Sequence, residues 1–263
     1  MKHPAIMWCI LLFKTMRCVT ALAVLAALTN CTPNVKDAPV KVISKNSPVE
    51  AKDSVITKND TSELEHYFIQ KKLVNVQELD ANIRVALHYS TAENFLHKII
   101  YKNLTRCYLP CEVAIKLCNA QYYLQQNYPQ YHIIVFDAVR PLHIQQLMWD
   151  ELDMPVAQKI NYLAHPKDIS LHNYGAAVDV GIIGENQVLL DMGTPFDSFN
   201  ELSQPKKEQQ FLKEGKLSQE AYANRLLLRG VMQRAGFTMM HTEWWHFNAT
   251  NKAIAAAKFE LIE

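Results

Sequence analysis

Apolar residues recur along the chain at two different periods. Between Glu112 and Gln126 the residues Val113, Ala114, Leu117, Cys118, Ala120 and Leu124 return at helical spacing, and Asn127-Tyr128-Pro129 closes the run. An amphipathic helix is predicted there. Tyr131 to Phe136 is short, β-branched and aromatic, and Asp137 follows it just before Arg140-Pro141. That pattern predicts a buried strand delivering Asp137 and Arg140 to its end. Helical spacing resumes from Pro141 to Leu152, Ala176 to Ile183 reads as another strand, and Asn224 to Ala235 as another helix. Thr242 to Asn248 reads as a last strand before a terminal helix from Lys252. Strands and helices mix without regular βαβ alternation, so the fold class predicted is α+β and not a doubly wound sheet.

The N-terminal pattern is different. Val19 to Leu28 is apolar apart from Thr20, and the first 31 residues hold Lys2, Lys14 and Arg17 but no acid. This is the shape of an export signal. About ten residues are too few to cross a ~30 Å hydrocarbon core as a helix, so the run reads as a signal and not as an anchor. Lys14 and Arg17 separate it from an earlier run, Ile6 to Phe13, and a start at Met16 would give a more compact signal. The run ends in Leu28-Thr29-Asn30-Cys31, which resembles a bacterial lipoprotein signal with Cys31 as the acylated residue, although Asn30 departs from the usual small residue. Membrane attachment through a lipidated Cys31 stands beside soluble export to the periplasm. Residues 32–62 are rich in Pro, Asn, Lys, Asp, Ser and Thr and read as a flexible tether. The order predicted is a signal over 1–31, a tether over 32–62 and one globular domain over 63–263.

Composition narrows the function. The 263 residues are 49% apolar and 20% charged, and 27 Lys+Arg nearly balance 26 Asp+Glu, which excludes a wholly disordered chain and a polybasic nucleic-acid binder. Removing the signal with Lys2, Lys14 and Arg17 leaves 24 basic residues against 26 acidic ones, a formal −2. Only 7 glycines are present, and neither Gly-rich phosphate-binding motif occurs. Beyond the signal the cysteines are Cys107, Cys111 and Cys118, an odd number in which Cys107 is expected to bridge to Cys111 or Cys118. Their spacing and the lack of a histidine among them make them poor zinc ligands.

Four segments concentrate chemistry: Asp137-Ala-Val-Arg140-Pro, Ser170-Leu-His172-Asn-Tyr-Gly175-Ala-Ala-Val-Asp179, Met192-Gly-Thr-Pro-Phe-Asp197 and Glu243-Trp-Trp-His246. A hydrolytic zinc site takes three protein ligands and leaves one position open, and His172, Asp179 and His246 supply that count. Glu243 is then free to take a proton from water. The seven-residue interval from His172 to Asp179 suits a turn entering a strand, with Gly175 letting the backbone come close to the metal. Glu243 and His246 lie an odd number apart, so they share a site only if the last strand bulges or turns. Blander readings stay open: Arg140 as no more than the partner of Asp137, Asp179 as a turn cap, Trp244 and Trp245 as core and pocket wall. His66, His88, His97, His132, His143, His165 and His241 are expected to serve as surface or hydrogen-bonded residues.

Ser170-x-His172-x-x-Gly175-x-Ala177-x-Asp179 followed by Glu243-x-Trp-His246 resembles the zinc signature of the VanX-type D-alanyl-D-alanine dipeptidases, whose fold is shared with the hedgehog signalling domain. The likeness extends to Tyr89-x4-Asn94-Phe95, to Asp137-Ala-Val-Arg140-Pro141, to Met192–Asp197 and to Asn224–Phe237, in the family's order, over roughly residues 70–250. It implies a single domain with a small, mostly antiparallel sheet flanked by helices. It further implies one Zn²⁺ on His172, Asp179 and His246, Glu243 as general base and acid, and Arg140 as the cation that polarises the scissile carbonyl. Asp197 and Ser170 match positions near the substrate termini, Asp197 for the free ammonium and Ser170 for substrate or for support of the metal ligands. The expected reaction is hydrolysis of D-Ala-D-Ala in the cell envelope. A D,D- or L,D-carboxypeptidase acting on peptidoglycan stem peptides and a non-catalytic zinc-containing wall-binding lipoprotein are the alternatives.

Overall fold

The computed structural model describes Cys9, residues 62–160 and residues 163–263. The chain divides between Asp53 and Ser54, and every element below belongs to the unit that follows. The signal expected over 1–31 with Met16 and Cys31, and the tether up to residue 61, lie outside the described residues apart from Cys9. Among the described residues no helix is long and apolar enough to cross a membrane.

Helix α1 (Glu63–Gln70) starts at Ser62, whose side chain accepts from the Glu65 amide. The short pieces β1 (Val74–Asn75), α2 (Val76–Leu79), β2 (Arg84–Val85) and β3 (Tyr108–Leu109) follow, with β1 and β3 paired antiparallel. Helix α3 (Cys111–Asn127) buries the expected apolar stripe and, in addition, Gln121. That amide accepts from the Ile133 backbone at 2.6 Å and donates to the Tyr131 carbonyl at 3.2 Å. It thereby ties the helix to the start of β4 (His132–Asp137). Helices α4 (Leu142–Glu151) and α5 (Val156–Lys159) lead to β5 (Ala177–Ile183), and α6 (Glu208–Lys213) and α7 (Gln219–Arg234) come next. Strands β6 (Thr238–Met239) and β7 (His246–Asn248) and helix α8 (Lys252–Lys258) complete the chain.

A five-stranded sheet runs in the order β2-β4-β5-β7-β6, with β2 parallel to β4 and the other neighbours antiparallel. The mostly antiparallel α+β arrangement therefore holds. All seven residues of β5 are buried, which is why Ala177–Ile183 reads as a continuous apolar strand broken only by Asp179 and Gly181. Register decides what this sheet can do. A bulge in β4 between Val135 and Asp137 sets Asp137 opposite Asp179, and Asp179 in turn pairs with His246 on β7.

Three expectations change. Helix α7 begins five residues before Asn224, because Ser218 caps it through the Ala221 amide at 2.9 Å. The last strand covers only His246–Asn248, and Glu243 lies in the bend before it, so the parity conflict between Glu243 and His246 disappears. Cys107 and Cys118 are buried and neither is part of a disulfide, so Cys107 bridges neither Cys111 nor Cys118. Cys107 sits buried just before β3 and Cys118 on the core face of α3, where both behave as small apolar residues.

Gly175 turns the chain into β5 with φ +61°, and a Cβ there would stand 2.6 Å from Pro110 Cδ and 2.7 Å from Val139 Cγ2. The close approach that demands glycine is thus to these two side chains. Gly175→Ala is expected to cost roughly 2–4 kcal/mol from left-handed strain plus overpacking. Urea unfolding of the metal-free protein measures it, and a loss below about 0.5 kcal/mol would mean that the turn relaxes freely.

Candidate metal centre and active site

His172 stands on a single helical turn, Leu171–Tyr174, that Ser170 and Asn173 cap reciprocally. Ser170 Oγ accepts from the His172 amide at 3.3 Å, and Asn173 Oδ1 accepts from the Ser170 amide at 2.6 Å. The same turn is cross-tied to the Arg140 segment: the Arg140 amide donates to the His172 carbonyl at 3.0 Å, and Asn173 Nδ2 donates to the Arg140 carbonyl at 2.8 Å. Two segments far apart in sequence are so held as one rigid piece.

The ligand atoms form a small triangle. His246 Nδ1 is 3.0 Å from Asp179 Oδ1, His172 Nε2 is 3.2 Å from His246 Nδ1, and His172 Nε2 is 3.5 Å from Asp179 Oδ1. Two donors at about 2.0–2.1 Å from a tetrahedral ion stand roughly 3.3 Å apart, so the triangle has the size such an ion needs. Tautomers point the same way. His172 Nδ1 donates to the Ala138 carbonyl at 2.7 Å, and His246 Nε2 donates to Asn248 Oδ1 at 2.8 Å. The remaining ring nitrogens of both histidines then turn toward Asp179, an arrangement suited to a bound cation. Among the described residues this is the one group of three such side chains placed to hold a metal.

Around the triangle lies a recess of about 660 Å³ whose walls include Tyr89, Arg140, Ser170, Asp197, Glu243 and Trp245. Arg140 is buried, and its Nε and Nη2 donate to Asp137 Oδ2 at 2.9 and 2.6 Å while Tyr101 gives its hydroxyl proton to Asp137 Oδ1 at 2.6 Å. Burial works against the guanidinium charge, but the neighbouring Asp137 chiefly overrides it and keeps the group firmly protonated. Arg140 does pair with Asp137, as its blander reading has it, yet it also faces the recess, 3.9 Å from Asp179 Oδ2.

Glu243 Oε2 lies 4.0 Å from His246 Nδ1. Desolvation in the recess pushes its carboxyl up to about 7, with His246 pulling the other way. Asp197 adopts φ +57°, and its Oδ2 accepts from the Tyr89 hydroxyl at 2.8 Å. Burial, reinforced by the charge of Asp179, pushes this carboxyl up to about 8. The candidate metal ligands, Glu243, Arg140, Asp197 and Ser170 are all brought together in this recess, and the Ser170 oxygen also caps the turn under His172.

A family model for D-Ala-D-Ala dipeptidases, peptidase family M15, matches residues 69–263. The chain belongs to this family. It is 29% identical over 182 residues to the D-alanyl-D-alanine dipeptidase of Escherichia coli (strain K12), covering 69% of this chain and 86% of that protein. It is 29% identical over 164 residues to the D-alanyl-D-alanine dipeptidase of Synechocystis sp. (strain ATCC 27184 / PCC 6803 / Kazusa), covering 52% of this chain and 66% of that one. M15 enzymes are metallopeptidases, and the family membership agrees with the metal geometry.

Reading the sequence alone missed the residues that aim the ligands. Asn248 is two positions beyond His246 on a strand and therefore on the same face, a signal that was present in the spacing. The Ala138 carbonyl carries no side-chain signature. Asn248→Leu, which removes the acceptor from His246, is expected to weaken metal affinity by about 10- to 100-fold in a competition titration. Unchanged affinity would rule out the orienting role. The raised Asp197 carboxyl also has a sign that can be tested. The folded metal-free protein keeps a proton that the unfolded chain releases, so stability relative to Asp197→Asn should fall as pH rises from 3.8 toward about 8 and then level off. Thermal unfolding of both proteins across that range reads the trend, and a constant difference would refute it.

Proposed function

We propose that the chain is a zinc-dependent dipeptidase that hydrolyses D-Ala-D-Ala to two D-Ala in the bacterial cell envelope. The observation that carries this reading is the single recess that gathers the three converging donors, Glu243, Arg140 and the buried Asp197 carboxyl. Two imidazoles and a carboxylate suit Zn²⁺ with one position open, and the bound ion would supply Lewis acidity and an acidified water.

The chain's own groups do the rest. Glu243 accepts a proton and returns it to the leaving amine, and a carboxyl near 7 is suited to both tasks at neutral pH. Arg140, fixed by Asp137, meets the negative charge that develops on the carbonyl oxygen inside a recess sheltered from bulk water. Asp197 receives the substrate ammonium, since a carboxyl pushed up by burial and by Asp179 is short of a cation. A stem peptide carries a neutral amide where the dipeptide has its ammonium and would leave Asp197 unpaired, which favours the dipeptide over a D,D- or L,D-carboxypeptidase substrate. Ser170 acts through the turn that holds His172. The envelope location rests on residues 1–31, with Cys31 as the acylated residue.

Incubation of the zinc-loaded protein with D-Ala-D-Ala, L-Ala-L-Ala and a pentapeptide ending in D-Ala-D-Ala should release alanine from the first alone. Release from the pentapeptide at a rival rate would favour the carboxypeptidase, and release from none the non-catalytic lipoprotein. Glu243→Gln should keep the metal and lose roughly 10²- to 10⁴-fold in kcat, whereas His246→Ala should lose metal and turnover together. A fully active Glu243→Gln protein would exclude the proton-transfer role. Labelled palmitate should enter the full-length protein in a bacterial host and not the Cys31→Ser variant.

A further inference from the structure

Outside the recess, three hydrogen bonds join the segment that carries Glu243 to the segment that carries Asp197. Trp244 Nε1 lies 2.9 Å from Thr194 Oγ1, Thr194 Oγ1 lies 3.0 Å from Ser203 Oγ, and Ser203 Oγ lies 2.9 Å from the Ser198 carbonyl oxygen. An indole N–H can only donate and a carbonyl can only accept, so the direction of every bond is fixed. Trp244 donates to Thr194, Thr194 to Ser203, and Ser203 to Ser198. The chain starts one residue after Glu243 and ends one residue after Asp197. Ser203 is almost fully buried, and Trp244 is buried too, so water does not readily replace the links.

The rest of the loop is built for the same purpose. Arg225, itself buried, donates from Nε to the Met192 carbonyl at 2.7 Å and from Nη2 to the Leu202 carbonyl at 3.0 Å, clamping the two ends of the segment. Phe196 packs edge-on against Trp245 with ring centroids 5.4 Å apart. Such packing brings the two segments together but does not set an angle, whereas the directed bonds do. Asp197 in particular needs angular control, because its left-handed backbone is strained for a residue with a side chain and persists only where its surroundings over-determine it.

We propose that Thr194 and Ser203 are positioning residues that hold Asp197 at a fixed span from Glu243, and so set the length of substrate that fits between them. This rests on the dipeptidase reading above. The test is a double-mutant cycle on the zinc-loaded full-length protein with D-Ala-D-Ala as substrate. Thr194→Val, which keeps the shape and removes the hydroxyl, is expected to lower kcat/KM roughly tenfold, mainly through KM, and Thr194→Ser to restore it. In an Asp197→Asn background the same Thr194→Val change is expected to cost less than about twofold, because the group being positioned is gone. Equal losses in both backgrounds would show a general structural defect and overturn the proposal, as would no loss in the wild-type background. Ser203→Ala cuts the same chain one link further on and takes the place of Thr194→Val if that variant does not fold. The wild-type arm separates the two levels: a wild-type protein inert toward D-Ala-D-Ala overturns the dipeptidase reading itself and this proposal with it.

Discussion

Two carboxylates, Asp137 and Asp179, are buried opposite each other on adjacent strands, and the surrounding structure is organised by the need to compensate them. An unpaired buried carboxylate would take up a proton or drive the chain open. Asp137 is satisfied from within the protein by Arg140 and Tyr101, so it becomes a fixed anchor. Asp179 is left facing two imidazoles whose outer nitrogens are already committed to Ala138 and Asn248. One carboxylate thus holds a built-in cation, and its neighbour stands among donors placed to hold a metal. That division of labour between β4 and β5 is what separates the structural ion pair from the metal site.

Much of the site was legible in the sequence because its residue types are chemically scarce at their positions. Asp179 lies inside the apolar run Ala177–Ile183, where an acid has few structural reasons to be. His172 and His246 followed from ligand count and spacing. The seven-residue interval between His172 and Asp179 suits a turn entering a strand, and the structure has that geometry. At Gly175 the sequence shows that a small residue is needed without showing that Pro110 and Val139 crowd it.

The less legible parts depend on tertiary partners. Strand β7 is shorter than its aromatic composition implies because the bend at Glu243 is stabilised from outside, by the tie from Trp244 to Thr194 fifty residues earlier. Helix α7 begins at a serine cap that lies before the apolar repeat, where periodicity carries no information. Cysteine spacing gave the wrong pairing because Cys107 and Cys118 are committed to the core, and spacing alone cannot distinguish a thiol that packs from one that bridges.

The bulge in β4 and the register it sets carry a consequence for how the chain reaches this state. Sliding β7 by one residue along β5 would send His246 to the opposite face of the sheet, and losing the bulge would put Phe136 where Asp137 now stands. Slipped pairings of that kind cannot assemble the three converging donors. A cation therefore binds one register and none of its near neighbours, and its binding free energy is added to the gap between the correct sheet and its misaligned copies. In such a chain a bound ion would favour correct strand alignment as well as serve the reaction.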